Sequence, residues 1–399
     1  MKIDEKLCYV GLLLTVGLLP WNFHLSLIGL YLTGIATAIN AVVNKRAGSP
    51  ALGKLGKTTM VCFIAYWGLY CISLLWSSNK VEGIDSIVSK LSVLITALIF
   101  LIGDFRWLTE KRKRLIGLTL VSSLCVLFLV RLGMGFYRVV TEGEPVERML
   151  FVNFDPVHHN YMSLYLLFGL AFLFVEIVNH GKDYKKGGIL AMIAAGALLV
   201  FFLIFKNSRG GIVCLGVWMM AALAYLFLVK KKRKSAVLMA LGIVAAVGVS
   251  FVVLPNNQQR VFRTFVSGEE PTRGLIWKTS WELVKEKPLL GYGVGDAWDV
   301  MEKHYLETRD TVAGKMAHNI FLEAWLDVGI MGVVIVILVL LLPALESINK
   351  HDFLMFSLVL IVFVSGLPES LFERQLGMLF FFPWTGILLS NEQLIASDI

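Results

Sequence analysis

Apolar runs of bilayer length recur from one end of this chain to the other, and that recurrence constrains its fold more than any other feature. They fall at about 7–20, 23–43, 58–76, 84–103, 115–132, 161–178, 188–205, 210–229, 236–254, 319–343, 352–366 and 376–390. Inside hydrocarbon every backbone N–H and C=O must be bonded within the chain, so each run of roughly 20 residues predicts a spanning helix. Composition agrees: 57% of residues are hydrophobic, 17% are charged, and the mean hydropathy is +0.73. That leaves too little polar surface for a water-soluble chain of 399 residues. The expectation is an all-α integral membrane protein, one polytopic unit over residues 1–399, with about twelve transmembrane helices. The first apolar run lacks a small-residue cleavage site and leads straight into the next through Pro20-Trp21-Asn22, so it reads as a retained helix rather than a signal peptide.

Lysine and arginine set the orientation, because short cytoplasmic loops retain them. Lys45, Arg46, Lys54 and Lys57, then Arg106 with Lys111 through Arg114, then Lys182, Lys185 and Lys186, then Lys230 through Lys234 fall on alternate loops. Both termini are therefore expected on the cytoplasmic side. The formal charge of +8 is spread along these loops, which argues against nucleic acid and leaves anionic membrane lipid as its counterpart. The five cysteines all fall in apolar runs without a CxxC pair, so neither a disulfide framework nor a zinc site is indicated.

On the opposite face lie residues 133–160, a tight turn at 206–210, a long loop at 255–318 and a short stretch at 367–375. Charges in or beside spans are costly and therefore informative. Lys90, Arg131, Arg138 and Arg209 all belong to this face. Lys90 and Arg138 could equally snorkel to headgroups. Arg209 sits in Phe205-Lys206-Asn207-Ser208-Arg209-Gly210-Gly211, where glycines permit close approach and a guanidinium can grip phosphate oxygens; an anion site is the better reading.

The long loop has internal order. In residues 275–287, Trp277, Trp281 and Val284 follow i, i+4, i+7, which predicts an amphipathic helix at the membrane interface with Arg273 at its N-terminus. Gly291-Tyr292-Gly293-Val294-Gly295 lacks the preceding strand of a dinucleotide site and reads as a turn or a closely packed backbone. His318 and Asn319 come where the tenth span begins. A lone histidine there can be structural, but a neutral imidazole beside cationic phosphate binders is what attack by a hydroxyl requires. His158 and His159 form a second polar cluster, with metal, sugar hydroxyl or helix capping all open.

These residues resemble the bacterial O-antigen ligase and polymerase superfamily. The likeness is carried by Arg273-Gly274-Leu275-Ile276-Trp277, Lys287-Pro288-Leu289-Leu290-Gly291-Tyr292-Gly293-Val294-Gly295, His318-Asn319, Gly329-Ile330-Met331-Gly332 and the arginine turn Asn207 to Gly211, over about residues 200–335. The resemblance implies a GT-C-type glycosyltransferase of the bacterial inner membrane, acting on the periplasmic face with no cofactor, metal or nucleotide sugar. It implies that Arg209 and Arg273 hold the pyrophosphate of an undecaprenyl-pyrophosphate-linked glycan, while His318 deprotonates the acceptor hydroxyl for an inverting attack. Lys90, Arg131, Arg138, His158, His159 and Asn319 are further candidates for substrate contact. Transfer to lipid A–core is the favoured reading and polymerisation of lipid-linked repeats the alternative. An oligosaccharyltransferase is disfavoured by the short segment after the last span. A flippase or transporter fits the spans, but the charges gather toward one face and no internal repeat is visible.

Overall fold

The computed structural model describes residues 2–43, 48, 50–143, 157–206, 208–234, 237, 272–308 and 314–390. Among these the regular structure is helical, with no strand. The helices are α1 (Ile3–Leu18), α2 (Phe23–Val43), α3 (Lys54–Ser73), α4 (Lys80–Ser89), α5 (Leu91–Ile102), α6 (Glu110–Thr141), α7 (His159–His180), α8 (Lys186–Phe205) and α9 (Arg209–Ala224). They continue with α10 (Thr272–Glu286), α11 (Ala297–Thr308), α12 (Ile320–Val328), α13 (Ile330–Asn349), α14 (Phe353–Gly366) and α15 (Gln375–Leu389). Among the described residues, eight helical stretches are long and apolar enough to cross a membrane, and α14 and α15 are shorter apolar helices. The all-α membrane class read from the sequence is thus the observed one. The expected span 236–254 and residues 255–271 and 309–313 of the long loop lie outside the described residues.

The bundle is organised around α7. Its apolar window is 78% buried against 22% for α8, so α7 is enclosed by protein while α8 presents most of its surface outward. α15 joins it at the centre, where Phe168 packs on Phe380 and Trp384, and Tyr66 and Phe63 pack on Phe382. Large rings in edge and tilted contact fill this interior at high density, which is what helix association in lipid depends on.

Two expected spans are interrupted, each at an informative residue. The run 84–103 divides at Lys90 into α4 and α5. Lys90 is fully buried, with Nζ 2.7 Å from Glu373, 2.8 Å from Ser86 Oγ and 4.5 Å above the Tyr70 ring. The run 319–343 divides at Gly329, which has φ +71° and ends α12. A side chain at Gly329 would put Cβ 2.1 Å from the Leu289 carbonyl, so the loop can lie against this break only because the residue is glycine. Hydropathy reports the polarity of a run, not whether its backbone stays straight.

The described part of the long loop folds onto the bundle with its own small core, which includes Ile276, Leu283, Val284, Tyr292, Met301, Tyr305 and Leu326. The helix expected over 275–287 is present, with a different buried face. Ile276, Ser280, Leu283 and Val284 point inward, while Trp277 and Trp281 are exposed. The reason is that α10 packs against α11 and α12, so protein covers the side opposite the tryptophans. The glycine-rich turn is a close backbone contact, as expected. Gly293, at φ +99°, donates to the Asp327 carbonyl at 3.0 Å, and a Cβ there would meet Ser77 Cα at 2.8 Å. Beside it, Asp296 accepts from the Ser78 and Asn79 backbone N–H groups at 2.6 and 2.7 Å. Burial works to raise the Asp296 carboxyl, but these backbone donors and the Ser77 hydroxyl outweigh it and bring the pKa below its ordinary value.

Gly329→Ala is expected to lower stability by about 1–3 kcal/mol, the cost of forcing a side chain into a strained backbone state and a close contact. Gly133→Ala, whose added Cβ would meet nothing within 4 Å, serves as the matched control and should be neutral or slightly stabilising. Thermal unfolding of the purified protein in detergent measures both.

Candidate active site

A cavity of about 490 Å³ opens at one end of the bundle, lined by His159, Asn160, Ser208, Arg209, Gly210, Gly211, Arg273, Ser365, Pro368, Glu369 and Leu371. Three helices contribute their first turns. His159 and Asn160 begin α7, Arg209 begins α9, and Arg273 is the second residue of α10. Unpaired N–H groups and the positive end of the helix dipole make such termini receptive to anions, and here three of them meet around one space.

Glu369 stands at the centre of the polar contacts. Its Oε2 accepts from Asn160 Nδ2 at 2.5 Å and from Arg273 at 3.4 Å, and its Oε1 lies 3.3 Å from His318 Nδ1. Burial works to raise this carboxyl. The hydrogen bond and charge of His318, the Asn160 amide and the Arg273 charge outweigh it and hold the pKa at about 2. An ionised carboxylate can only accept, so Nδ1 of His318 carries the proton of that contact, and in the neutral ring Nε2 is left as the basic nitrogen. Asn160 continues the chain of contacts, its Oδ1 accepting from Ser208 Oγ at 3.0 Å. Ser208 in turn caps α9, accepting from the Gly211 N–H at 3.1 Å, so the turn bearing Arg209 is tied through Asn160 to the carboxylate that holds His318.

His318 is held from several sides. It has φ +47°, a left-handed backbone that a residue with a side chain adopts at a cost of about 1–3 kcal/mol, and such outliers cluster at functional sites. The neighbouring Ala317 N–H donates to Glu323 Oε2 at 2.6 Å, the Asn319 N–H to Ser370 Oγ at 3.2 Å, and the Trp277 indole to the His318 carbonyl at 3.3 Å. The segment carrying Glu369 is fixed as well. Ser370 Oγ donates to Glu323 at 2.7 Å, Glu373 pairs with Lys90, and Gln375 donates to the Ser89 carbonyl.

The structure therefore brings Arg209, Arg273 and His159 to the cavity and joins His318 to it through Glu369. His158 precedes α7 with its ring 4.0 Å from that of His159, and burial, the largest influence, lowers its pKa. The remaining candidates stand elsewhere. Asn319 caps α12, accepting from the Phe321 and Leu322 N–H groups at 2.9 and 3.0 Å. Lys90 is committed to Glu373, and Arg131 and Arg138 lie on α6 outside the cavity lining. Among the described residues no group of three or more His, Cys, Asp or Glu is placed to hold a metal ion. Nothing in the sequence marks Asn160, Ser208 and Glu369 as partners of one another or of His318. Their only signal was a place next to candidate residues or on the same face.

Fold and site together define a helical membrane protein with a cationic, histidine-bearing cavity at one end of its bundle. Residues 194–337 match the model of a family described as O-antigen ligase, a segment that holds Arg209, Arg273 and His318. An exopolysaccharide production protein, ExoQ, of Rhizobium meliloti is 22% identical over 290 residues, covering 68% of this chain and 61% of that protein. An uncharacterized protein of Haemophilus influenzae is 21% identical over 316 residues, 74% of each. The matched part thus spans about three fifths of the exopolysaccharide protein's length. The resemblance to the O-antigen ligase and polymerase superfamily stands on this segment.

A carboxylate with a depressed pKa stabilises the fold above its ordinary value, and that contribution disappears as pH falls toward its folded value. The melting temperature should accordingly drop between about pH 5 and about pH 2, and Glu369→Gln should remove part of that drop. Melting curves of the two proteins across that range measure the difference.

Proposed function

We propose that the chain is a membrane glycosyltransferase that moves a glycan from undecaprenyl pyrophosphate to an acceptor hydroxyl, at the periplasmic face of the bacterial inner membrane. The observation that carries this reading is the meeting of Arg209, Arg273 and Glu369 around one cavity, with His318 in contact with Glu369. In the reaction, Nε2 of His318 takes the acceptor hydroxyl proton as the oxygen attacks the anomeric carbon from the side opposite the leaving group. The bond from that carbon to the pyrophosphate oxygen breaks and the electron pair leaves with the pyrophosphate. Arg209 and Arg273, with the N-termini of α9 and α10, stabilise the charge that develops there. Arg273 Nη1 is buried without a partner among the described residues, a donor suited to a phosphate oxygen. Glu369 fixes the tautomer of His318 and stabilises the positive charge that forms on the ring when it takes the proton. Both its contacts with His318 and Arg273 are long, as catalytic hydrogen bonds often are before substrate binds.

The acceptor assigned by this reading is a lipid A–core hydroxyl, following the O-antigen ligase family matched by residues 194–337. The second reading, extension of a lipid-linked repeat, is favoured by the similarity to a Rhizobium protein named for exopolysaccharide production. Reconstitution with a lipid-linked glycan, with and without lipid A–core, separates them. Product only with lipid A–core supports the ligase, and lengthened lipid-linked glycan supports the polymerase. Movement of the glycan across the membrane without bond formation would refute both.

His318→Ala should reduce turnover by about 10²–10⁴-fold, the usual contribution of a general base, with membrane insertion unchanged. Arg209→Lys and Arg273→Lys should also lose most activity, because a point charge does not replace a two-pronged donor. Wild-type turnover in the lysine variants, measured in the same reconstituted assay, would rule out the pyrophosphate role.

A further inference from the structure

Near the cavity end of the bundle, one patch of surface is apolar although part of it belongs to the long loop. Leu289 and Leu290 are 70% and 59% exposed, and Leu75 and Val81 are 80% and 73% exposed. They come from the turn after α10, the turn after α3 and the first turn of α4. Two indoles hold these segments together: Trp76 donates to the Leu290 carbonyl at 3.2 Å and Trp325 to the Pro288 carbonyl at 2.9 Å. Trp281 packs edge-on against Trp325 with ring centres 5.8 Å apart. The turn is rigidly seated, because the Ile330 N–H also donates to the Pro288 carbonyl at 3.0 Å and the Tyr292 N–H to the Leu326 carbonyl at 2.7 Å. Two leucines on a fixed backbone are thus directed away from the protein.

What covers them follows from their surroundings. Along α4 the exposed Val81, Ile84 and Val88 recur at i, i+3 and i+7, so the patch is continuous with an apolar face of the stretch Lys80–Ile102, one of the membrane-spanning candidates. Tryptophans belong at the level where hydrocarbon meets headgroups. Lys80, Lys285 and Lys287 are exposed beside the leucines, with Lys285 Nζ 5.6 Å from the Trp281 ring centre and Lys287 Nζ 4.7 Å from that of Tyr292. The intervening Glu286 is occupied by the Tyr292 hydroxyl at 2.9 Å. Exposed leucines, indoles and ammonium groups gathered on one surface are the chemistries that meet the hydrocarbon, the boundary and the headgroups of one leaflet of a bilayer.

We propose that the Pro288–Leu290 turn, with Leu75 and Trp281, is a membrane anchor that inserts into the leaflet at the cavity end of the bundle and takes anionic phospholipid headgroups over Lys285 and Lys287. The anchor sits at the far end of α10 from Arg273 and against the C-terminal end of α12, the helix that follows His318. It fixes the height of the cavity relative to the membrane surface. It rests on the helical membrane bundle and stands apart from the reaction assigned to the cavity.

The test places the photoreactive residue p-benzoylphenylalanine at position 290 of the full-length protein. The protein is reconstituted in nanodiscs of phosphatidylcholine mixed with phosphatidylglycerol, irradiated, and analysed by mass spectrometry of the crosslinked chain. The expected result is a phospholipid adduct enriched in phosphatidylglycerol relative to its share of the disc. That enrichment should be lost in the Lys285→Glu, Lys287→Glu double variant, and the same probe at the exposed position 303 should give no lipid adduct. If the position 290 variant fails to fold, the probe at position 75 reads the same surface. Absence of lipid adducts, or adducts only to a second protein chain, overturns the anchor. Lipid adducts without phosphatidylglycerol enrichment overturn the headgroup assignment.

Discussion

One buried carboxylate ties together parts of this chain that are remote in sequence. Glu369 accepts from Asn160 at the start of α7, pairs with Arg273 at the start of α10 and meets the imidazole of His318 just ahead of α12. A carboxylate removed from water must be compensated by donors and positive charge, and these three groups supply both. The same contacts set the orientation of the groups on which the proposed chemistry depends. Loss of that charge would leave these three groups without a common partner.

Support for Glu369 comes from behind. The segment 369–375 is held by a fully buried lysine through Glu373, by Glu323 through Ser370, and by the Ser89 carbonyl through Gln375. Glu323 also takes the N–H of Ala317 and the indole of Trp298, so a single acidic side chain positions both the Glu369 segment and the His318 segment. Precision in such a site depends on side chains whose own rotamers are locked by neighbours. The cavity itself has fewer constraints. Arg273 keeps a buried nitrogen with no partner among the described residues, and the first turns of three helices face a common space. Rigid support around an anion-receptive niche is the arrangement expected of a preorganised site.

The loop and bundle meet through backbone rather than through apolar side chains alone. Gly293 and Gly329 allow main chain to approach main chain, and Asp296 closes the contact by accepting from the turn that precedes α4. Contacts of this kind fix distance more tightly than an apolar interface does, since a hydrogen bond fails within a few tenths of an ångström. Arg273, carried by the loop, can thereby keep its place opposite Arg209, carried by the bundle.

Much of the architecture was legible from the sequence because membrane insertion is a local property. A run such as 23–43 must be apolar along its whole length to remain in lipid, and α2 occupies those residues. Arg209, Arg273 and His318 were also legible as candidates, since Arg209 and His318 stand at span ends where polar groups are costly, and Arg273 stands at the N-terminus of an amphipathic helix on the same face. The breaks at Lys90 and Gly329 were not, because hydropathy is insensitive to a helix that stops and resumes. Nor was the inward face of α10, whose choice between lipid and protein depends on α11 and α12 lying beside it. The partners of the site were furthest from view. Asn160 and Glu369 are 209 positions apart, Arg273 and Glu369 are 96, and His318 and Glu369 are 51. Pairings over such separations leave no periodicity or motif in a single chain; they exist only once helix packing has spent the chain's freedom and brought the ends of α7, α10, α12 and α14 to one place.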